Sequence, residues 1–179
     1  MLQRSRSAGL VYVPNNVEVK IRLPDLSATL AAVRALGAED RGILRQVDTY
    51  FQAVQGARLK LREQEPGGAE LIAYERPDVK GLRTCNYRIF KVTDAAGLKD
   101  TLALGLSVLR RVVKARHLFM LGRTRIHLDQ VEGLGDFLEL EVVMRDGEPP
   151  RAGEQEAGVI LEKLGLADAP KIAGSYLEQ

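Results

Sequence analysis

The sequence is short of the residues that most often carry metal and redox chemistry. It has one cysteine, two histidines and no tryptophan in 179 residues. A single thiol, Cys85, excludes an intrachain disulfide. One Cys and two His cannot complete a Cys/His zinc site, so a bound metal would take oxygen ligands and be Mg²⁺, Mn²⁺ or Ca²⁺. A large charge of one sign is missing too. Twenty-six basic and 24 acidic residues leave +2, which argues against bulk electrostatic binding of nucleic acid. No apolar run approaches the roughly 20 residues that span a bilayer, so no membrane association is expected and a cytoplasmic location is. Met1–Pro14 is basic, with only a short apolar patch, and does not fit a signal peptide. Residues 1–14 are read as a flexible lead-in to a single domain over 15–179. Internal repeats and low-complexity segments are absent.

What the chain does have is strands that alternate aliphatic residues with charged ones. Val17-Glu18-Val19-Lys20-Ile21-Arg22-Leu23 places Glu18, Lys20 and Arg22 on one face. Arg58-Leu59-Lys60-Leu61-Arg62 repeats the pattern, and Phe137-Leu138-Glu139-Leu140-Glu141-Val142 does so with carboxylates. Strands are expected over 16–23, 43–53, 58–65, 70–76, 83–92, 108–121, 124–131 and 137–144. Helices are expected over 26–36, capped by Asp25, over 95–104, capped by Asp94, and over 154–164, with a short one near 172–177. Short connections make most neighbours antiparallel.

The pattern predicts an α+β fold: an eight-stranded antiparallel β-barrel with a charged interior and helices packed on the outside. Helices 26–36 and 154–164 each carry an apolar stripe that can cover outward aliphatic faces. The charges then point into a hydrated middle.

Lys20 and Arg22, then Arg58, Lys60 and Arg62, then Lys114 and Arg116 each share a strand face. Arg88 and Arg125 are single members on similar strands. Converging rows of unpaired cations are strongly unfavourable in a dry core, and a polyphosphate would compensate them. Either that or a solvated strand face accounts for each group alone. Glu18, Asp129, Glu139 and Glu141 could hold one or two Mg²⁺ or Mn²⁺, or could pair across strands with the cations.

Five segments occur in a telling order: Asn16-Val17-Glu18-Val19-Lys20, Asp48-Thr49-Tyr50-Phe51, Arg58-Leu59-Lys60-Leu61-Arg62, Val113-Lys114-Ala115-Arg116 and Gly135-Asp136-Phe137-Leu138-Glu139-Leu140-Glu141. Together they resemble the CYTH family, or triphosphate tunnel metalloenzymes, and within it the class IV adenylate cyclase branch. The resemblance spans about Asn16 to Tyr176. It implies an eight-stranded antiparallel tunnel that binds triphosphates with divalent metal. It implies metal ligation by Glu18, Asp129, Glu139 and Glu141. Phosphate contacts would come from Lys20, Arg22, Arg58, Lys60, Arg62, Arg76, Arg88, Lys114, Arg116 and Arg125. Glu18, Lys20, Lys114, Arg116 and Glu139 would form the catalytic set, and ATP would yield cyclic AMP and pyrophosphate. Hydrolysis of inorganic or thiamine triphosphate, or triphosphate binding without turnover, are the alternatives. A homodimer is implied by resemblance alone. Asn16 stands where the family signature has its first Glu, and Glu75 where a Lys often falls.

Overall fold

The computed structural model describes residues 10–12, 16–75 and 83–179. Among the described residues, nine strands and three helices follow in the order β1 (Leu10–Tyr12), β2 (Asn16–Arg22), α1 (Leu26–Ala35), β3 (Glu39–Phe51), β4 (Ala57–Glu65), β5 (Gly68–Glu75), β6 (Arg83–Val92), α2 (Ala95–Gly105), β7 (Val108–Leu121), β8 (Thr124–Val131), β9 (Gly135–Val143) and α3 (Pro150–Lys163). All pairings are antiparallel. They run β6-β2-β9-β8-β7-β3-β4-β5, and β5 pairs back onto β6. The first residues of β6 contact β2 while its last residues contact β1 on the same edge. Eight strands thus wrap a barrel, as the charge alternation predicts.

Alternation puts the aliphatic set outward. Val17, Val19, Ile21, Ile126, Leu128, Leu138, Leu140 and Val142 are all at most 2% exposed. They form one core with Val33 of α1 and Ala157, Ile160 and Leu161 of α3. These two helices therefore cover the β2–β9–β8 wall. The Asp25 carboxylate accepts from Ala28 N at 2.9 Å and starts α1. Asp94 does the same for α2 through Gly97 N at 2.9 Å. α3 lies so close to β2 that a Cβ on Gly153 would stand 2.5 Å from Met144 Sδ and 2.8 Å from Val17 Cγ2. Among the described residues no helix is long and apolar enough to cross a membrane.

Four segments differ from the sequence reading. β3 runs over Glu39–Phe51 rather than 43–53. α3 starts at Pro150, one turn earlier than expected, because proline is tolerated at the first helical position. Leu10–Tyr12, within the expected lead-in, pairs with β6. The helix expected near 172–177 does not form. Instead, Ile172 N donates to Lys20 O at 2.8 Å, Lys171 bridges to Ile21, and Gly174 turns the chain at φ 79°. The tail then enters one end of the barrel.

Candidate active site

The inward faces bring the charge rows together by register. Glu18 lies opposite Glu141 and Lys20 opposite Glu139 on β2 and β9. Arg125 lies opposite Glu141 and His127 opposite Glu139 on β8 and β9. Arg116 faces Asp129, and Asp48 faces Arg62. Cross-strand partners share a face, so all of these side chains converge. Apart from the fully buried Asp48 and Asp129, they line a cavity of about 220 Å³, far larger than one or two waters need. One end is closed by Tyr50, Val112, Val131, Phe137 and Tyr176, all buried. Tyr176 comes from the tail, and its hydroxyl donates to Asp129 Oδ2 at 2.7 Å. Lys20 Nζ sits 3.6 Å above the Tyr176 ring, a short cation–π contact.

Three buried cations, Lys60, Lys114 and Arg116, and the half-buried Arg62 share two buried carboxylates. Asp48 accepts from Arg62 Nε at 2.7 Å, Arg62 Nη2 at 2.8 Å and Lys60 Nζ at 2.9 Å. Asp129 accepts from Arg116 Nε and Nη2, both at 2.6 Å. Lys114 Nζ hangs between them, 3.5 Å from Asp129 and 3.9 Å from Asp48. Burial raises the cost of the Asp48 charge, yet Arg62 and Lys60 hold it well below the ordinary carboxylate range. The lysines show the shortage of negative charge. Burial, then the charge of Arg62, pulls Lys60 down to about 8. Burial, then Arg116, pulls Lys114 down to about 7. Such a cluster is prepared for an added anion.

A second cluster is acidic. One ligand atom each from His127, Glu139 and Glu141 falls within 4.8 Å of the others. Glu141 is pushed up to about 7 by burial, then by the neighbouring Glu139, with Glu18 adding to the effect. His127 Nδ1 is buried without a hydrogen-bond partner, 3.8 Å from Glu141 Oε1. Burial, then the nearby Arg116, holds the imidazole well below its usual range, so the ring is neutral and its nitrogen can donate to a metal. Crowded carboxylates beside an orphaned nitrogen fit a divalent cation.

Of the residues expected to form the site, Glu18, Lys20, Lys60, Arg62, Lys114, Arg116, Arg125, Glu139 and Glu141 line this cavity. Asp129 lies just behind the cavity wall, fully buried, and accepts from Arg116 and Tyr176. Three cations do not join. Arg88 is exposed, because Ile89 takes the inward position on β6. Arg22 lies past the closed end, over the Phe137 ring at 4.9 Å and donating to Leu134 O at 2.5 Å. Arg58 is drawn to the tail, 2.7 Å from Glu178. Arg76 lies outside the described residues, as do the side-chain contacts of Glu75. Sequence reasoning does not single out Asp48 or Tyr176 as site residues, and nothing local marks Tyr176. His127 shares the face of Arg125 and Asp129 in the sequence, but a lone histidine reads as structural and is set aside there.

A family model for the CYTH domain matches residues 14–176. The chain belongs to the CYTH domain family. This CYTH domain is 29% identical to adenylate cyclase CyaB of Aeromonas hydrophila, over 89% of this chain and 85% of that one. It is 25% identical to the putative adenylate cyclase MJ0240 of Methanocaldococcus jannaschii, over 90% and 96%. The solved structure of the PH1012 protein from Pyrococcus horikoshii superposes with a TM-score of 0.83 at 27% identity, covering 91% of this CYTH domain and 98% of that chain.

Proposed function

We propose that this CYTH domain is a divalent-metal-dependent enzyme that converts ATP to cyclic AMP and pyrophosphate. The observation that carries the reading is the tunnel interior itself, where Lys60, Arg62, Lys114 and Arg116 face an acidic, metal-compatible cluster across one cavity. Its relatives named adenylate cyclase support the choice of ATP.

Glu18, Glu139 and Glu141 would hold Mg²⁺ or Mn²⁺, with His127 as a nitrogen donor beside them. The ion supplies positive charge where the phosphates carry most negative charge. Lys60, Arg62, Lys114 and Arg116 grip the β- and γ-phosphates, guanidinium forks bidentately and lysines as point charges. As the ribose 3′-hydroxyl attacks the α-phosphorus in line, its proton passes to an interior carboxylate and the bond from the α-phosphorus to the bridging oxygen of the β-phosphate breaks. The same cations then take up the charge that builds on pyrophosphate. Lys20, fixed over Tyr176 and 3.0 Å from Glu139, orients that carboxylate. Because the tail closes one end, the triphosphate enters from the other and the nucleoside stays at the open mouth.

Incubation with ATP and Mn²⁺, followed by chromatography of the products, tests this. Cyclic AMP with equimolar pyrophosphate is expected. ADP with orthophosphate would replace cyclisation by hydrolysis in the same tunnel.

A further inference from the structure

We propose that Tyr176 is the floor of the phosphate site, so that this tunnel takes only triphosphates whose terminal phosphate is unesterified. This rests on the triphosphate reading above and adds the substrate class. Triphosphates substituted at both ends, such as dinucleoside triphosphates, are excluded.

Strand parity sets the depth of each side chain. Inward residues follow at i and i+2, so each strand reads as a ladder rising from the closed end. On β7 it runs Val112, Lys114, Arg116; on β9 it runs Phe137, Glu139, Glu141. Val112 and Phe137 belong to the buried cluster that holds Tyr50 and Tyr176. The first charged layer above that cluster is therefore the lysine layer, and its ammonium groups meet the rings directly. Lys20 Nζ stands 3.6 Å and Lys114 Nζ 4.8 Å from the centre of the Tyr176 ring, and Lys60 Nζ 5.5 Å from that of Tyr50. Arg62 and Arg116 sit one step nearer the mouth, two residues along from Lys60 and Lys114. A triphosphate threaded from the mouth brings its last phosphate to the lysines, and the next thing beyond them is the Tyr176 ring.

The floor is anchored on several strands. Tyr176 is 2% exposed and meets Phe137 edge-on, with ring centres 5.1 Å apart. Its hydroxyl donates to Asp129 Oδ2 of β8 at 2.7 Å. On either side of it, Ile172 N donates to Lys20 O of β2 at 2.8 Å and Arg110 of β7 donates to Leu177 O at 3.2 Å. Arg58 of β4 lies 2.7 Å from Glu178. A substituent on the terminal phosphate would have to push these packed rings aside, which a close-packed interior resists.

Calorimetric titration of the full chain with ATP, inorganic tripolyphosphate, adenosine 5′-(γ-fluorotriphosphate) and the γ-phenyl ester of ATP tests the assignment. The last two carry the same charge and differ in bulk at the terminal phosphorus. The wild-type protein should bind the fluoro analogue at least about 100-fold more tightly than the phenyl ester. Tyr176→Phe keeps the ring and should keep that ratio. Tyr176→Ala opens a ring-sized space at the floor and should shrink the ratio at least about 10-fold, whatever its absolute affinities. Equal wild-type affinity for the fluoro analogue and the phenyl ester overturns the inference without needing any variant. So does a preference that Tyr176→Ala leaves unchanged. A wild-type protein that binds ATP and tripolyphosphate yet takes the phenyl ester equally well leaves the tunnel reading standing. One that binds none of the four overturns both.

Discussion

Glu139 is the residue where the two halves of the interior meet. It pairs with Lys20 at 3.0 Å and Arg116 at 3.6 Å, and it also belongs to the acidic cluster with His127 and Glu141. Glu139→Gln keeps the shape but removes a charge both clusters use. Metal-dependent turnover should fall by at least about 100-fold, and Mn²⁺ binding followed by electron paramagnetic resonance should weaken with it. Tyr176 acts differently. Its hydroxyl meets an Asp129 that burial works against but Arg116 and Lys114 hold in the ionised state. Tyr176→Phe keeps the ring under Lys20 but removes a hydrogen bond to a buried charge. It should cost about 2 kcal/mol, seen as a fall in Tm of roughly 4–8 °C by calorimetry. Residues of this kind were only partly legible in the sequence. Glu139 and Glu141 announce themselves by alternating with aliphatic neighbours. Asp48 does not, because in Gln46-Val47-Asp48-Thr49 the neighbours are mixed and its importance comes from the strands beside it.

At the scale of elements, alternation was the reliable signal. β6, β7 and β8 run where the sequence reading puts them, and in β8 the alternation is plain: Ile126 and Leu128 share one face, Arg125, His127 and Asp129 the other. The tail was misread because Ile172 and Leu177 suggest a helix, while the actual driving force is a distant socket formed by Tyr50, Val112 and Phe137. Arg88 was misassigned because one cation on a strand gives no parity of its own; Ile89 settles the face. The contact between α3 and β2 offers a clean test of the outer layer. Gly153→Ala introduces a methyl group against Met144 and Val17, which would have to shift. A loss of about 1–3 kcal/mol in chemical denaturation is expected, with the metal site itself untouched.

For the molecule as a whole, the organising fact is a barrel turned inside out relative to an ordinary soluble core. The aliphatic faces look outward to α1 and α3, and the ions look inward. The cluster of Lys60, Arg62, Lys114 and Arg116 then gives triphosphate binding a pH dependence whose sign can be worked out. Lys60 titrates at about 8 and Lys114 at about 7, both below the ordinary lysine range because of burial and then neighbouring guanidinium charge. Each is a cation below its pKa and neutral above it, and only the cation attracts phosphate. Affinity for tripolyphosphate should therefore be greatest below about pH 7 and decline as pH rises toward 9, as measured by titration at constant ionic strength.

Titration of the full chain with inorganic tripolyphosphate and Mn²⁺ bears most directly on the inward-facing charge. One site per chain is expected, in wild-type protein, with at least about 100-fold weaker binding when Lys114 and Arg116 are both changed to Met. Undetectable binding to the wild-type protein, or binding that the double substitution leaves unchanged, would contradict it.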